Sequence, residues 1–145
     1  MISEIPVPAL DDVGAEFWER ARGDELVVQQ CSSCGHLRFP PREACPCCTS
    51  LQFRWEAVSG RGEVWSFVIA HPPLLPAFER SAPYNVAVVT LAEGEHLRLV
   101  GNLVADDVTD IGGIDAASIS IGEPVTAVFD HVTTTVPLLR WRRPA

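Results

Sequence analysis

Residues 31–48 read Cys-Ser-Ser-Cys-Gly-His-Leu-Arg-Phe-Pro-Pro-Arg-Glu-Ala-Cys-Pro-Cys-Cys. Cys31 and Cys34 make one Cys-x-x-Cys pair and Cys45 and Cys48 a second, with ten residues between them. Each pair fits a tight turn that aims both sulfurs at one ion. Gly35, directly after the first pair, suits the positive φ such a turn often needs. Four thiolates in a tetrahedron suit zinc; an iron site of rubredoxin type has similar geometry and is the alternative. A site closed by four protein ligands has no open position for water or substrate. Its expected role is therefore structural, replacing a core that so short a segment cannot build. Cys47 is left over. It could displace Cys48 from the set, but two intervening residues match the first pair, so Cys48 is the expected ligand and Cys47 a bystander thiol.

On the N-terminal side, Pro6 and Pro8 mark an extended arm, and Asp11 and Asp12 are N-cap candidates for an amphipathic helix over Val13–Arg22, ended by Gly23. Val13 and Phe17, with Trp18 and Ala21, form its apolar flank. Two readings stand for Phe17 and Trp18: anchors on the chain's own core, or a docking face for a partner. Leu26–Gln30 is a short strand leading into Cys31, and Phe53 with Trp55 suggests another.

Beyond Gly60 the pattern turns to β. Glu63–His71 alternates, with Trp65, Phe67 and Ile69 expected on one face. Val86–Leu91 is a nearly continuous apolar run, and His96–Val104 alternates through Leu97, Leu99 and Leu103. Val125–Val132 and Val136–Trp141 supply two more candidate strands. Short strands punctuated by turns predict a small barrel or sandwich. The stretch from His71 to Tyr84 carries four prolines and is expected to hold neither helix nor strand. Residues 105–123 form a second long connection, acidic and glycine-rich, with a helical turn expected near Asp115–Ser118. Three units follow: arm, helix and short strand over 1–30, the metal-binding segment over 31–58, and the β unit over 59–145.

Composition narrows the chemistry. The chain has 145 residues, is 47% hydrophobic and carries a net charge of −8. All eleven of its basic residues are arginine, so a Schiff-base lysine is excluded within it. The acidic balance argues against generic binding to nucleic acid or anionic membranes. No apolar run approaches the ~20 residues of a membrane span, and the start does not read as a secretory signal; a cytoplasmic location is expected. There is no phosphate-binding glycine loop, no G-x-S-x-G elbow and no His-Glu-x-x-His. His36, His71, His96 and His131 are scattered; His71, which closes a strand and opens the proline-rich loop, is the candidate for a ligand contact.

These residues resemble a known family: proteins with a rubredoxin-like zinc ribbon followed by an OB-fold, catalogued as a domain of unknown function and associated with acyl-CoA enzymes. The likeness runs from Phe17-Trp18 through Leu26–Gln30, Cys31-x-x-Cys34-Gly35, Phe39-Pro40-Pro41-Arg42 and Cys45-Pro46-x-Cys48. It continues with Gly62-Glu63-Val64 to His71, Pro83-Tyr84-Asn85-Val86-Ala87, Gly101-Asn102-Leu103 and Ile121-Gly122-Glu123-Pro124-Val125 before Phe129. The resemblance implies a mainly β fold: an N-terminal helix, a zinc ribbon with structural Zn(2+), then a five-stranded OB barrel.

It also implies a non-catalytic accessory subunit of an acyl-CoA-processing complex, which stabilises and completes a thiolase-fold partner. That partner would be an aldolase or thiolase, as in steroid or lipid degradation, or alternatively a hot-dog enoyl-CoA hydratase. Catalytic residues would then belong to the partner. Expected partner contacts are Phe17, Trp18, Phe39, Pro40 and Phe78. Arg38, Arg42 and His71 are candidates to meet an acyl-CoA at the shared interface, arginine being suited to phosphate. Two readings compete. One is a single-stranded nucleic-acid module, since ribbons and OB-folds both serve that role. The other is a stand-alone enzyme using His71 or Cys47.

Overall fold

A computed structural model describes residues 5–145. The first four residues of the expected arm lie outside that range, and the remainder up to Leu10 has no regular secondary structure. Helix α1 spans Ala15–Arg22 and starts two residues later than the apolar periodicity suggests. The reason is Asp11: its carboxylate accepts the Gly14 N–H and its carbonyl accepts the Ala15 N–H, which spends residues 12–14 on a turn. Phe17 and Ala21 face inward and are buried.

The first sheet is three-stranded and antiparallel, with β1 (Val27–Cys31) between β2 (Leu37–Arg38) and β3 (Phe53–Ala57). Consecutive residues Val27, Val28 and Gln29 are all buried, so both faces of β1 are covered. Five further strands close into a barrel: β4 (Arg61–Ala70), β5 (Tyr84–Leu91), β6 (Arg98–Val104), β7 (Pro124–Asp130) and β8 (Leu138–Arg142). Their order, β4-β5-β6-β8-β7, with β6 and β8 parallel and the other pairs antiparallel, is that of an OB-fold. Alternate residues point inward, and Val64, Val89, Leu99, Leu103, Val125 and Trp141 fill the interior. Trp141 lies over Gly101, where an added Cβ would stand 2.8 Å from the Leu139 carbonyl oxygen and 3.0 Å from the indole nitrogen. Phe17, Leu26, Val27 and Val28 belong to the same buried cluster as the barrel interior, and Leu37, Phe39, Trp55 and Val58 pack onto it. Ribbon and barrel thus share one core.

Two sequence expectations need correction. Trp65 does not share a face with Phe67 and Ile69. A register shift between Val64 and Ser66 inserts an extra residue into β4, so Val64 points inward and Trp65 is 51% exposed, with the Arg98 guanidinium 4.0 Å above its ring. The proline-rich stretch does hold a short helix, α2 (Pro76–Glu79), because a proline at the first helical position gives up an N–H that has no partner there anyway. The 105–123 connection contains a single 3-10 turn at Ala116–Ser118, capped by the Asp115 carboxylate through the Ala117 N–H. No helix among the described residues is long and apolar enough to cross a membrane.

A buried polar network ties this end of the barrel together. Arg140 donates to Asp130 at 3.1 Å, to Asn102 at 2.7 Å and to the Val108 carbonyl at 3.3 Å. Asn102 in turn donates to the Asn85 carbonyl, and Asn85 bonds both backbone groups of Leu103. Asp130 is fully buried and is also held by the Thr133 hydroxyl and the N–H groups of Val132 and Thr133. Burial alone would raise its pKa; the Thr133 and Val132 donors and the Arg140 charge outweigh that and hold it below the ordinary carboxylate value.

Candidate metal centre and docking groove

The two cysteine pairs form matching turns. In the first, Gly35 N–H returns to the Cys31 carbonyl at 3.0 Å and Cys31 N–H reaches the His36 carbonyl at 2.9 Å. In the second, Thr49 N–H returns to Cys45 and Cys45 N–H reaches Ser50, both at 2.9 Å. Gly35 and Thr49, each just after its second cysteine, have φ of 77° and 65°. Backbone N–H groups also point at sulfur, from Cys34 to Cys31 Sγ at 3.5 Å and from Cys47 to Cys45 Sγ at 3.4 Å.

Four sulfurs converge between these turns, those of Cys31, Cys34, Cys45 and Cys48, all within 4.8 Å of one another. Cys31 and Cys48 are 3.5 Å apart and Cys34 and Cys45 3.6 Å. A tetrahedron with metal–sulfur bonds of about 2.3 Å has edges of about 3.8 Å, so the set fits a structural zinc ion. The thiol chemistry agrees. The Cys34 N–H draws the Cys31 pKa down to about 6. Cys34 is pushed up to about 12, because the His36 N–H that favours its thiolate is outweighed by burial and by the Cys45, Cys48 and Cys31 sulfurs. Four thiolates cannot gather at this spacing without a cation to neutralise them. Cys47 is exposed and outside the converging set, so the alternative that put it in place of Cys48 is not the one the fold adopts.

The other candidate residues separate into buried and open positions. Arg38 is 2% exposed; it donates to Gln29 at 3.2 Å and to the Arg42 carbonyl at 3.0 Å, and lies 5.1 Å from the Phe53 ring centre. Gln29 completes this brace by accepting the Arg42 N–H at 2.7 Å and donating to its carbonyl. The Arg38 guanidinium is therefore committed to the ribbon's interior, whereas the Arg42 side chain and His71 are exposed. Gln29 went unnoticed in the sequence; a glutamine directly after two buried valines is the signal that could have found it.

Phe17 is buried beneath the surface, meeting Trp18 edge-on at 4.9 Å and Phe39 at 5.4 Å. Trp18, half-buried, lines a groove of about 330 Å³ with Phe78, Tyr84, Val86, Val100 and Leu139. The fold thus brings Trp18 and Phe78 together although 60 residues separate them. Phe39 stands behind Phe17 and the neighbouring Pro40 is exposed. From Val86 and Val100 in the groove the apolar surface continues across the sheet to Val68 and Val88, their strand partners, and Val68 and Val100 are 63% and 60% exposed. In OB-folds that bind oligonucleotides this is the face that carries basic and aromatic groups; here valines occupy its centre.

Among the described residues, no second group of three or more His, Cys, Asp or Glu converges as the four cysteines do. Two family models match: the ChsH2 rubredoxin-like zinc ribbon domain over residues 18–54, and the ChsH2 C-terminal OB-fold domain over residues 55–130. The chain is 44% identical over 141 residues to a probable enoyl-CoA hydratase alpha subunit of Thermomonospora curvata; the match covers 93% of this chain and 39% of that protein. It is 34% identical to a DUF35 domain-containing scaffold protein of Methanocaldococcus jannaschii, over 74% of this chain and 69% of that one. A solved structure described as an Ltp2-ChsH2(DUF35) aldolase contains a chain that superposes with a TM-score of 0.80 at 38% identity, covering 94% of this chain and 98% of that one. The chain belongs to the ChsH2 zinc-ribbon and OB-fold family, also known as DUF35.

Proposed function

We propose that this family member is a non-catalytic accessory subunit of an acyl-CoA-processing complex, which stabilises and completes a thiolase-fold partner, an aldolase or a thiolase of steroid or lipid degradation. The observation that carries this reading is the end-to-end match to a chain of the solved Ltp2-ChsH2(DUF35) aldolase, since that match spans nearly all of both chains. The site chemistry supports it. The metal centre has four protein sulfurs and no open position, so it holds shape and does not activate water or substrate. The apolar groove gives such a subunit something to offer: a concave surface with aromatic anchors, of the kind that dominates binding energy at interfaces.

Within this reading Trp18 and Phe78 contact the partner, Phe17 and Phe39 hold Trp18 in place from below, and Pro40 extends the surface on the ribbon side. An acyl-CoA at the shared interface would meet Arg42 and His71, the exposed members of the candidate set. A second reading, in which the partner is a hot-dog enoyl-CoA hydratase, is favoured by the 44% identity to a hydratase alpha subunit. This chain spans only 39% of that subunit, so the relative has further sequence that can carry activity.

The test is co-expression with a thiolase-fold subunit encoded beside this chain. The expected result is that the partner becomes soluble and active only when this chain is present and that the two elute together. A partner equally soluble and active by itself overturns the proposal. Co-elution with a hydratase subunit in its place would select the second reading.

A further inference from the structure

The metal knuckles are alike in backbone geometry but not in what surrounds them. Among the described residues the second is hydrogen-bonded within the ribbon, through the Ser33 hydroxyl to Ser50 at 3.0 Å and the Ser32 N–H to the Gln52 carbonyl at 2.9 Å. The first is met by the barrel. The turn between β5 and β6 reaches across, and His96 Nε2 donates to the Leu37 carbonyl at 2.6 Å. The His96 ring stacks on His36, with centroids 4.7 Å apart and planes 20° from parallel. Glu93, in the same turn, accepts the N–H of Ser59 at 2.9 Å, which ties the turn to the link between β3 and β4. His36 is not a distant neighbour of the metal ligands: its carbonyl accepts the Cys31 N–H that closes the first knuckle. The turn is also shaped for this contact. A Cβ at Gly94 would sit 2.9 Å from His96 Cε1 and 3.2 Å from Nδ1, so a larger residue there would displace the ring from this position.

We infer that His96 is a positioning residue for the zinc centre: a barrel side chain that holds the first knuckle closed from outside the ribbon. Through Leu37 and His36 it fixes the carbonyl that Cys31 N–H bonds, and so keeps Cys31 and Cys34 aimed at the ion. Zinc retention then depends on the barrel, although all four ligands lie in the ribbon.

The test measures zinc release from the full-length, zinc-loaded protein into excess 4-(2-pyridylazo)resorcinol. One lost hydrogen bond and one lost ring stack predict release three- to tenfold faster in His96→Ala. His96→Gln keeps an N–H donor and should recover part of the loss. His131→Ala serves as the control; that histidine bonds Asp24 at 2.6 Å, ahead of β1 and outside both knuckles, and should release zinc at the wild-type rate. Should His96→Ala fold poorly, His36→Ala removes the same stack from the ribbon side and predicts the same acceleration. Circular dichroism separates the effect from general loosening, since barrel melting should stay within a few degrees of wild type. Zinc release at the wild-type rate in both His96→Ala and His36→Ala, or equal acceleration in His131→Ala, overturns the inference.

Discussion

Replacing Arg140 by methionine removes one partner from the fully buried Asp130 and leaves the other in place. Three contacts go at once: Asp130 at 3.1 Å, Asn102 at 2.7 Å and the Val108 carbonyl at 3.3 Å. Breaking a buried ion pair from one side costs about 3–5 kcal/mol, because a charge is left without compensation. Here the carboxylate keeps donors from Thr133 and Val132, so the lower end of that range applies, about 3 kcal/mol. With a urea slope of about 1–3 kcal/mol/M, the unfolding midpoint falls by about 1 M or more. The double variant Asp130→Asn/Arg140→Met should be more stable than Arg140→Met alone, since no charge remains to be buried.

The pH dependence carries a sign. The folded pKa of Asp130 is held below its unfolded value, so the pair stabilises fully above about pH 4 and loses its contribution as pH falls through the folded value. The deficit of Arg140→Met should therefore be constant between about pH 5 and 8 and shrink below about pH 4, where a protonated Asp130 no longer needs the arginine. Equilibrium urea unfolding followed by circular dichroism reads both effects. A midpoint within 0.2 M of wild type (about 0.5 kcal/mol or less), or a deficit that grows in acid, refutes the reasoning.

Other outcomes follow from the geometry already described. Cys48→Ser should abolish stoichiometric zinc binding, while Cys47→Ser should keep one ion per chain, as read by elemental analysis. Gly101→Val should destabilise the barrel by about 2 kcal/mol or more through overpacking, because its Cβ meets the Leu139 carbonyl and Trp141 at 3.0 Å or less; thermal unfolding reports the loss. Phe78→Asp should weaken association with a thiolase-fold partner by about 30-fold, the size of an interface hot spot of roughly 2 kcal/mol, and leave zinc content unchanged. Trp65→Ala, outside the groove and exposed, should change that affinity less than about threefold, an effect of under 1 kcal/mol.

The parts of this fold that are legible in the sequence are those fixed by short-range chemistry. The cysteine spacing specifies the knuckles, because a Cys-x-x-Cys turn is local and a following glycine can adopt the φ of 77° that Gly35 shows. Period-two alternation locates the strands around Leu97, Leu99 and Leu103, all of which point inward. Alternation fails at Trp65, since one inserted residue reverses the faces and no local signal marks it. The helix in the proline-rich stretch is hidden for a related reason: proline breaks a helix interior but fits its first turn.

Side-chain partnerships across long separations are the least legible. Arg38 reads as a candidate phosphate contact, yet Gln29 and the Arg42 backbone claim it inside the ribbon. The groove that joins Trp18 to Phe78, and the His96 contact with the ribbon, exist only once the barrel has closed. The resemblance to the zinc-ribbon and OB-fold family supplied the barrel topology, which alternation alone leaves open between barrel and sandwich.

The account as a whole rests on a division of labour, in which this chain provides structure and surface and another supplies the chemistry. Purified, zinc-loaded protein incubated alone with a panel of acyl-CoA thioesters tests this directly. The account predicts no turnover above the uncatalysed rate, with activity arising only on addition of the partner subunit. Turnover by the isolated chain that is lost in His71→Ala or Cys47→Ser would contradict it.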